Sequence, residues 1–372
     1  MTFLSENQLL DRPALSQRGR AGLELLGNIQ DFSSGVARRA AREEFQRIPE
    51  AKSLAESTTG GGVRATKDRI KRAKTLAHSL PGYRYERFLQ RYVAEEVYMS
   101  GIPAVEEKRA AFENLQIGSE AAAVGSLELD AEQREPRYYR GVDWHLEPGG
   151  YDGYDLYGDL FTHVLGPYVF KYGGYAAVGN REDITSHRLD VVSQLPRANY
   201  RRFYEPGCGG FSTLAAVHKV YPDADLVGSD ISRLLLENGH RLAQRLNIPV
   251  AFKQRDARQT GESDESFDAV VAYALFHEMP PSVGAEVLQE MYRILEPGGD
   301  IVISDPPPFR AVDPFQAVLL DWDTKHRGEP FFTAVGLTNW CEVLKDIGFI
   351  NIDEYALGPD FYPWVTRASK PV

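Results

Sequence analysis

Acids and glycines that could grip a nucleotide recur at ordered places in the second half of the chain. The stretch "FYEPGCGGFSTL" (203–214) passes from aromatic residues into Glu205, then Gly207, Gly209 and Gly210, then two hydroxyls. That order reads as strand, tight loop, helix. Glycine lets a backbone approach a ligand closely and take positive φ. The free N–H groups of a helix start suit a carboxylate or a phosphate. Asp230 closes "ADLVGSD", where a carboxylate can accept from both hydroxyls of a ribose. Asp256 follows "VAFKQR" and can accept an adenine amine. "FDAVVAYALFHEM" delivers Tyr273 and then His277-Glu278, and Asp305 closes "DIVISD". An imidazole titrates near neutral pH, which suits His277 to the work of a base.

These residues need a frame. From about residue 183 the chain alternates helical and strand patterns, ending in "INIDEYALG" and "YPWVTRA". Such alternation predicts a mostly parallel sheet covered on both faces, with ligands at the carboxyl ends of its strands. Residues 1–135 are expected to form a helical cap or dimerisation domain. In it, "GYRYERFLQRYVAEEVYMSGI" places Tyr85, Phe88, Leu89, Tyr92, Val93 and Val97 on one helical face, opposite Arg and Glu. Pro81-Gly82 and Ser100-Gly101 bracket that helix. "VRATKDRIKRAKTLAHSL" puts Ile70, Ala73, Leu76, Ala77 and Leu80 on another, set off by the glycines at 60–62. Residues 136–182 form an aromatic, glycine-punctuated junction, suited to packing between domains or to a lid. Residues 183–372 make the α/β domain.

Composition narrows the class. The net charge is −11, with 19 Lys and Arg against 16 Asp and Glu in residues 1–120 and 23 against 37 beyond. An acidic balance argues against a general nucleic-acid or anionic-membrane binder. The basic run Lys67–Lys74 reads as a solvated helix face, with an RNA-binding face as the lesser alternative. Two cysteines allow no disulfide framework or zinc spacing and fit a reduced, cytoplasmic setting. No secretory signal or membrane-spanning run is expected.

The loop alone leaves the ligand open. A dinucleotide fingerprint needs glycine at 212, where Ser212 stands; an S-adenosylmethionine loop needs one at 211, where Phe211 stands. The ordered set decides: "EPGCG", Asp230, "DA" at 256–257, "FDAVV" and "RILEPGG". In that order it resembles the class I S-adenosylmethionine-dependent methyltransferases acting on small molecules, from about Asp183 to the C-terminus. The resemblance implies a Rossmann-like seven-stranded sheet with a reversed final hairpin. It implies S-adenosylmethionine near Glu205, Gly207, Gly209, Asp230, Ile231, Asp256, Ala257 and Tyr273, with Tyr172 as a candidate ring over the sulfonium. His277 and Glu278 fall where the family faces its acceptor. Tyr154, Tyr157, Phe161, Phe309 and Trp322 are candidates to line a small-molecule acceptor pocket. Asp321, Asp323 and His326 have no strong metal spacing, so no metal is expected, and Asp323 and His326 read as an exposed helix face. A homodimer through the helical segment is expected by analogy. The other readings are an RNA or protein methyltransferase, or a nucleotide-binding module without catalysis.

Overall fold

The computed structural model describes residues 13–56, 62–117, 124–181, 184–358 and 361–372; Gly60 and Gly61 lie outside them. Its strands are β1 (Ser126–Glu128), β2 (Arg202–Pro206), β3 (Asp225–Asp230), β4 (Val250–Gln254), β5 (Phe267–Tyr273), β6 (Leu295–Asp305), β7 (Ile350–Ala356) and β8 (Trp364–Ser369). They form one sheet in the order β1-β4-β3-β2-β5-β6-β8-β7. All pairings are parallel except those of β8, which runs antiparallel to both β6 and β7. β2 to β8 are the expected seven strands with the reversed hairpin. β1 is an addition at the edge, from a segment read as helical. Three residues are too few to carry an alternation. β5 is buried at every position, as a strand covered on both faces must be. β2 pairs with both β3 and β5, so the strand order reverses there and a crevice opens at the carboxyl ends.

The helices of the first part are α1 (Gln17–Phe32), α2 (Arg38–Gln46), α3 (Pro49–Glu56), α4 (Val63–Ser79), α5 (Pro81–Glu106) and α6 (Arg109–Ile117). Then come α7 (Ile184–Val192), α8 (Ser212–Val220), α9 (Arg233–Arg245), α10 (Pro281–Ile294), α11 (Pro314–His326), α12 (Phe332–Gly336) and α13 (Trp340–Ile347), apart from short turns between 144 and 172. α4 buries Ile70, Ala73 and Ala77 as its pattern requires. Three of its basic residues are engaged within the chain: Arg69 donates to the Phe309 carbonyl, Arg72 pairs with Glu50 and Lys74 with Asp321.

α5 departs from expectation twice. It runs through Gly101 and Pro103 to Glu106; Gly101 is a notch for Leu160 and Leu165, not a stop. Its covered face also differs from the apolar one. Tyr85, Phe88 and Tyr92 are exposed, whereas Glu86, Arg87 and Gln90 are buried with Val93 and Val97. The polar groups are inside because they find partners there. Glu86 binds the guanidinium groups of Arg38 and Arg87, Gln90 donates to Ser33 Oγ, and Arg87 lies over the Trp322 ring of α11. A buried ion pair is tolerated only when paired and hydrogen-bonded in this way.

The aromatic junction folds across the sheet's carboxyl end. Tyr139 stacks on Trp144 at 5.1 Å, and Trp144 meets Phe331. Asp152 accepts from Ser232 Oγ and the Leu234 N–H, tying the junction to the start of α9. Among the described residues no helix is long and apolar enough to cross a membrane.

Candidate active site

The glycine loop follows β2. Gly207 has φ +62°, and a Cβ there would stand 2.4 Å from Leu275, so only glycine fits. The Gly209 N–H donates to Asp230 Oδ2 and the Ser232 N–H to Oδ1, at 2.9 and 2.8 Å. Burial pushes the Asp230 carboxyl up to about 6, against those two bonds. Glu205 is buried, and its Oε2 has no hydrogen-bond partner among the described residues. Burial drives its carboxyl well above the usual range, though Thr213 and the Leu214 amide act against this. A Cβ on Gly209 would meet nothing within 4 Å, so the space above the loop is open. Phe211 takes φ +85° at the start of α8 and is buried, its ring edge-on to Phe252 of β4 at 6.2 Å. It fills the core behind the loop.

The other strand ends follow the expected order. The Ile231 carbonyl accepts from Gln254. Burial would raise Asp256, but the Arg258 guanidinium at 2.7 Å holds it below its ordinary value. Ala257 packs beside it on the second face of the sheet. Tyr273 shares a hydroxyl contact with Tyr362 at 2.9 Å under the Arg188 guanidinium.

A dense polar cluster stands after β5. The Phe276 and His277 N–H groups donate to Asp305, which pins the turn Phe276–Glu278 to the end of β6. Asp305 Oδ1 also lies 2.5 Å from His277 Nδ1, which turns Nε2 toward Glu278 Oε1 at 3.5 Å. Burial disfavours the charged imidazole, but Asp305 overrides it and lifts His277 to about 9. Two residues from elsewhere complete the cluster. His145 Nε2 lies 3.1 Å from Glu278 Oε1 and 3.0 Å from Glu329 Oε1. Tyr151 donates to Glu278 Oε1 at 2.8 Å, and Tyr98 and Tyr157 donate to Glu147 Oε1 nearby. His145 and Leu146 both have positive φ, 56° and 65°. Such strain costs about 1–3 kcal/mol per residue and persists only where the surroundings enforce it. The Gly328 backbone packs against this turn: its carbonyl accepts from the His145 N–H at 3.4 Å, and a Cβ on it would stand 2.4 Å from the Asp143 carbonyl oxygen.

A narrow cavity adjoins His145 between the two parts of the chain. Val93, Val97, Tyr98, Phe170, Tyr175 and Arg327 line it together with Gln30. Both amide atoms of Gln30 and the Nε of Arg327 are buried without a hydrogen-bond partner among the described residues.

Of the sequence-derived candidates, the structure gathers Glu205, Gly207, Gly209, Asp230 and Ile231 at the adjacent ends of β2 and β3. It joins His277 to Glu278, and brings Tyr157 to Glu147 beside them. The others lie elsewhere. Tyr172 packs on Gly27 of α1 with Lys171 and Arg181 over its ring. Tyr154 donates to Glu106 at the surface. Phe161 is largely exposed, and Phe309 packs on Gly336. Trp322 is held between Arg87 and His326. Asp323 is buried, not exposed as expected, because it accepts from the Ala176 N–H and faces Arg327. Sequence reasoning missed His145, Tyr151 and Glu329. The one trace of them was His145, one of two histidines in the aromatic junction.

With its strand order, reversed hairpin and the acids at consecutive strand ends, the chain carries a class I S-adenosylmethionine-dependent methyltransferase domain. Residues 204–299 match the family model described as a methyltransferase domain. A ubiquinone biosynthesis O-methyltransferase of Alkalilimnicola ehrlichii is 32% identical over 124 residues, 33% of this chain and 49% of the relative. A ubiquinone/menaquinone biosynthesis C-methyltransferase of Desulfotalea psychrophila is 30% identical over 170 residues, 42% of this chain and 65% of the relative. The chain thus spans about half to two thirds of these relatives' lengths. Among solved structures, Haemonchus contortus phosphoethanolamine N-methyltransferase 2, in complex with phosphomonomethylethanolamine and S-adenosylhomocysteine, superposes with a TM-score of 0.42 at 15% identity, covering 55% of this chain and 56% of that one. S-adenosylmethionine is the cofactor of such a domain, and the residues present fit it. The orphaned Glu205 Oε2 awaits a donor, the space above Gly209 is open, and Asp230 presents a carboxylate at the next strand end.

Proposed function

We propose that the protein transfers the methyl group of S-adenosylmethionine to a small-molecule acceptor held between the helical part and the sheet. The observation that carries this is the juxtaposition, at the carboxyl ends of the adjacent strands β2, β5 and β6, of the cofactor loop with the His277–Asp305 pair. With oxygen as the acceptor atom, the acceptor's lone pair forms the new bond to the methyl carbon as the carbon–sulfur bond breaks. The sulfonium becomes a neutral thioether, and the hydroxyl proton passes to Nε2 of neutral His277, the form that prevails above about pH 9. Asp305 keeps the other ring nitrogen occupied. Holding donor and acceptor in line supplies about 7–11 kcal/mol in well-aligned systems. Gln30 and Arg327, buried without full partners at the cavity, favour an acceptor with a polar or anionic group. An O- or C-methylating role is also supported by the relatives' names.

Calorimetry with S-adenosylmethionine and S-adenosylhomocysteine tests the cofactor reading. Binding of both at one site per chain, weakened by Asp230→Ala, supports it; binding of neither overturns it. Tyr85, Phe88, Tyr92 and Met99 form an exposed stripe on α5, which supports pairing of two copies. Sedimentation of the full chain and of Phe88→Glu tests that: a wild-type dimer that the variant dissociates is the expected result, and a wild-type monomer refutes it.

A further inference from the structure

We infer that His145, His277, Glu278 and Glu329 form a binding site for one divalent first-row transition ion. The inference rests on the acceptor-site reading above and changes one role in it: with the ion bound, His277 Nε2 is a ligand, acts on the acceptor through the metal and no longer takes its proton.

One ligand atom from each of the four residues can be chosen so that all lie within 4.8 Å of one another. Metal–nitrogen and metal–oxygen bonds of about 2.1 Å place tetrahedral ligands about 3.4 Å apart. The separations around Glu278 Oε1 and His145 Nε2 are 3.0, 3.1 and 3.5 Å. The outer contacts match as well. Metal-bound histidines give their second nitrogen to a carboxylate or carbonyl. Here His277 Nδ1 is on Asp305 at 2.5 Å, while His145 Nδ1 meets the Tyr151 hydroxyl at 3.2 Å with Glu147 at 3.6 Å. His277 Nε2 is thereby directed at Glu278, and His145 Nε2 at Glu278 and Glu329.

Without an ion the cluster is poorly satisfied. One N–H on His145 cannot serve two carboxylates at 3.0 and 3.1 Å equally well. Glu278 Oε2 and Glu329 Oε2 are buried and have no partner among the described residues, and Glu329 is only 1% exposed. Four carboxylates, of Glu147, Glu278, Glu329 and Asp305, crowd two imidazoles, so a divalent ion would offset the excess of negative charge. Two imidazoles with two carboxylates suit zinc, iron(II) or manganese(II); magnesium and calcium prefer oxygen alone. Four protein ligands leave room on a five- or six-coordinate ion for a group entering from the cavity at His145.

The test uses full-length, tag-free protein stripped with dipicolinate and titrated with zinc, manganese(II) and, anaerobically, iron(II). Elemental analysis and calorimetry are expected to give one ion per chain, with Glu329→Gln weakening affinity at least tenfold. Manganese-loaded wild type is expected to show nitrogen couplings from two imidazoles by pulsed EPR. That measurement decides the matter even if the variant fails to fold. No stoichiometric binding of any of the three ions, an unchanged affinity in folded Glu329→Gln, or manganese without nitrogen coupling would each overturn the inference. S-adenosylhomocysteine binding is measured on the same samples. Its loss alone removes the cofactor reading and leaves the metal site; its retention without metal binding does the reverse.

Discussion

Phe211 stands where the methyltransferase loop usually has its third glycine, and replacing it with glycine separates packing from ligand contact. The ring is 2% exposed, lies against Phe252 and occupies a backbone conformation with φ +85°. Truncating a buried phenylalanine costs about 3–5 kcal/mol through lost burial and the cavity left behind. Glycine at a left-handed position recovers about 1–2 kcal/mol of backbone strain. Phe211→Gly is therefore expected to lose about 1–4 kcal/mol of stability while leaving cofactor affinity largely intact. Urea unfolding followed by fluorescence, with calorimetry against S-adenosylhomocysteine, reads both quantities. An unchanged unfolding midpoint would refute the packing argument. A loss of affinity as large as that of Asp230→Ala would show that the ring belongs to the cofactor site.

Other perturbations probe the remaining parts. Glu86→Ala leaves Arg38 and Arg87 without their buried counter-charge and is expected to cost about 3–5 kcal/mol in unfolding experiments; a change below 1 kcal/mol, on the order of a surface pair, would contradict the buried network. Asp230, lifted to about 6 by burial, is ionised above that pH and protonated below it. Cofactor affinity is expected to hold above pH 6 and to fall about tenfold per unit beneath it; a flat calorimetric profile from pH 5 to 8 would argue against a carboxylate grip on the ribose. Gly328→Ala presses on the His145 turn at positive φ and is expected to lower kcat at unchanged S-adenosylhomocysteine affinity. Equal kcat in a folded variant would detach that turn from the reaction.

The α/β domain was legible because its signals are local. Apolar runs, glycine turns and acids at strand ends follow one another in sequence as they do along the sheet. The face of α5 was misread for a physical reason. Periodicity marks which side of a helix is greasy, whereas burial depends on what the neighbours offer, and Arg38, Ser33 and Trp322 offered partners to Glu86, Gln90 and Arg87. The edge strand β1 was too short to leave a pattern. The His145, His277, Glu278 and Glu329 cluster draws on three segments more than 50 residues apart, so no spacing rule could reveal it. Only the fold of the aromatic junction over the sheet and the glycine at 328 bring His145 to Glu329.

The most direct measurement is mass spectrometry of a metabolite extract incubated with the enzyme and methyl-labelled S-adenosylmethionine. The account predicts a labelled small molecule with the wild type and a sharp loss of it with His277→Ala, while both proteins bind the cofactor alike. Label transfer that is equal in the two, or no transfer to any small molecule by a protein that binds the cofactor, would contradict it.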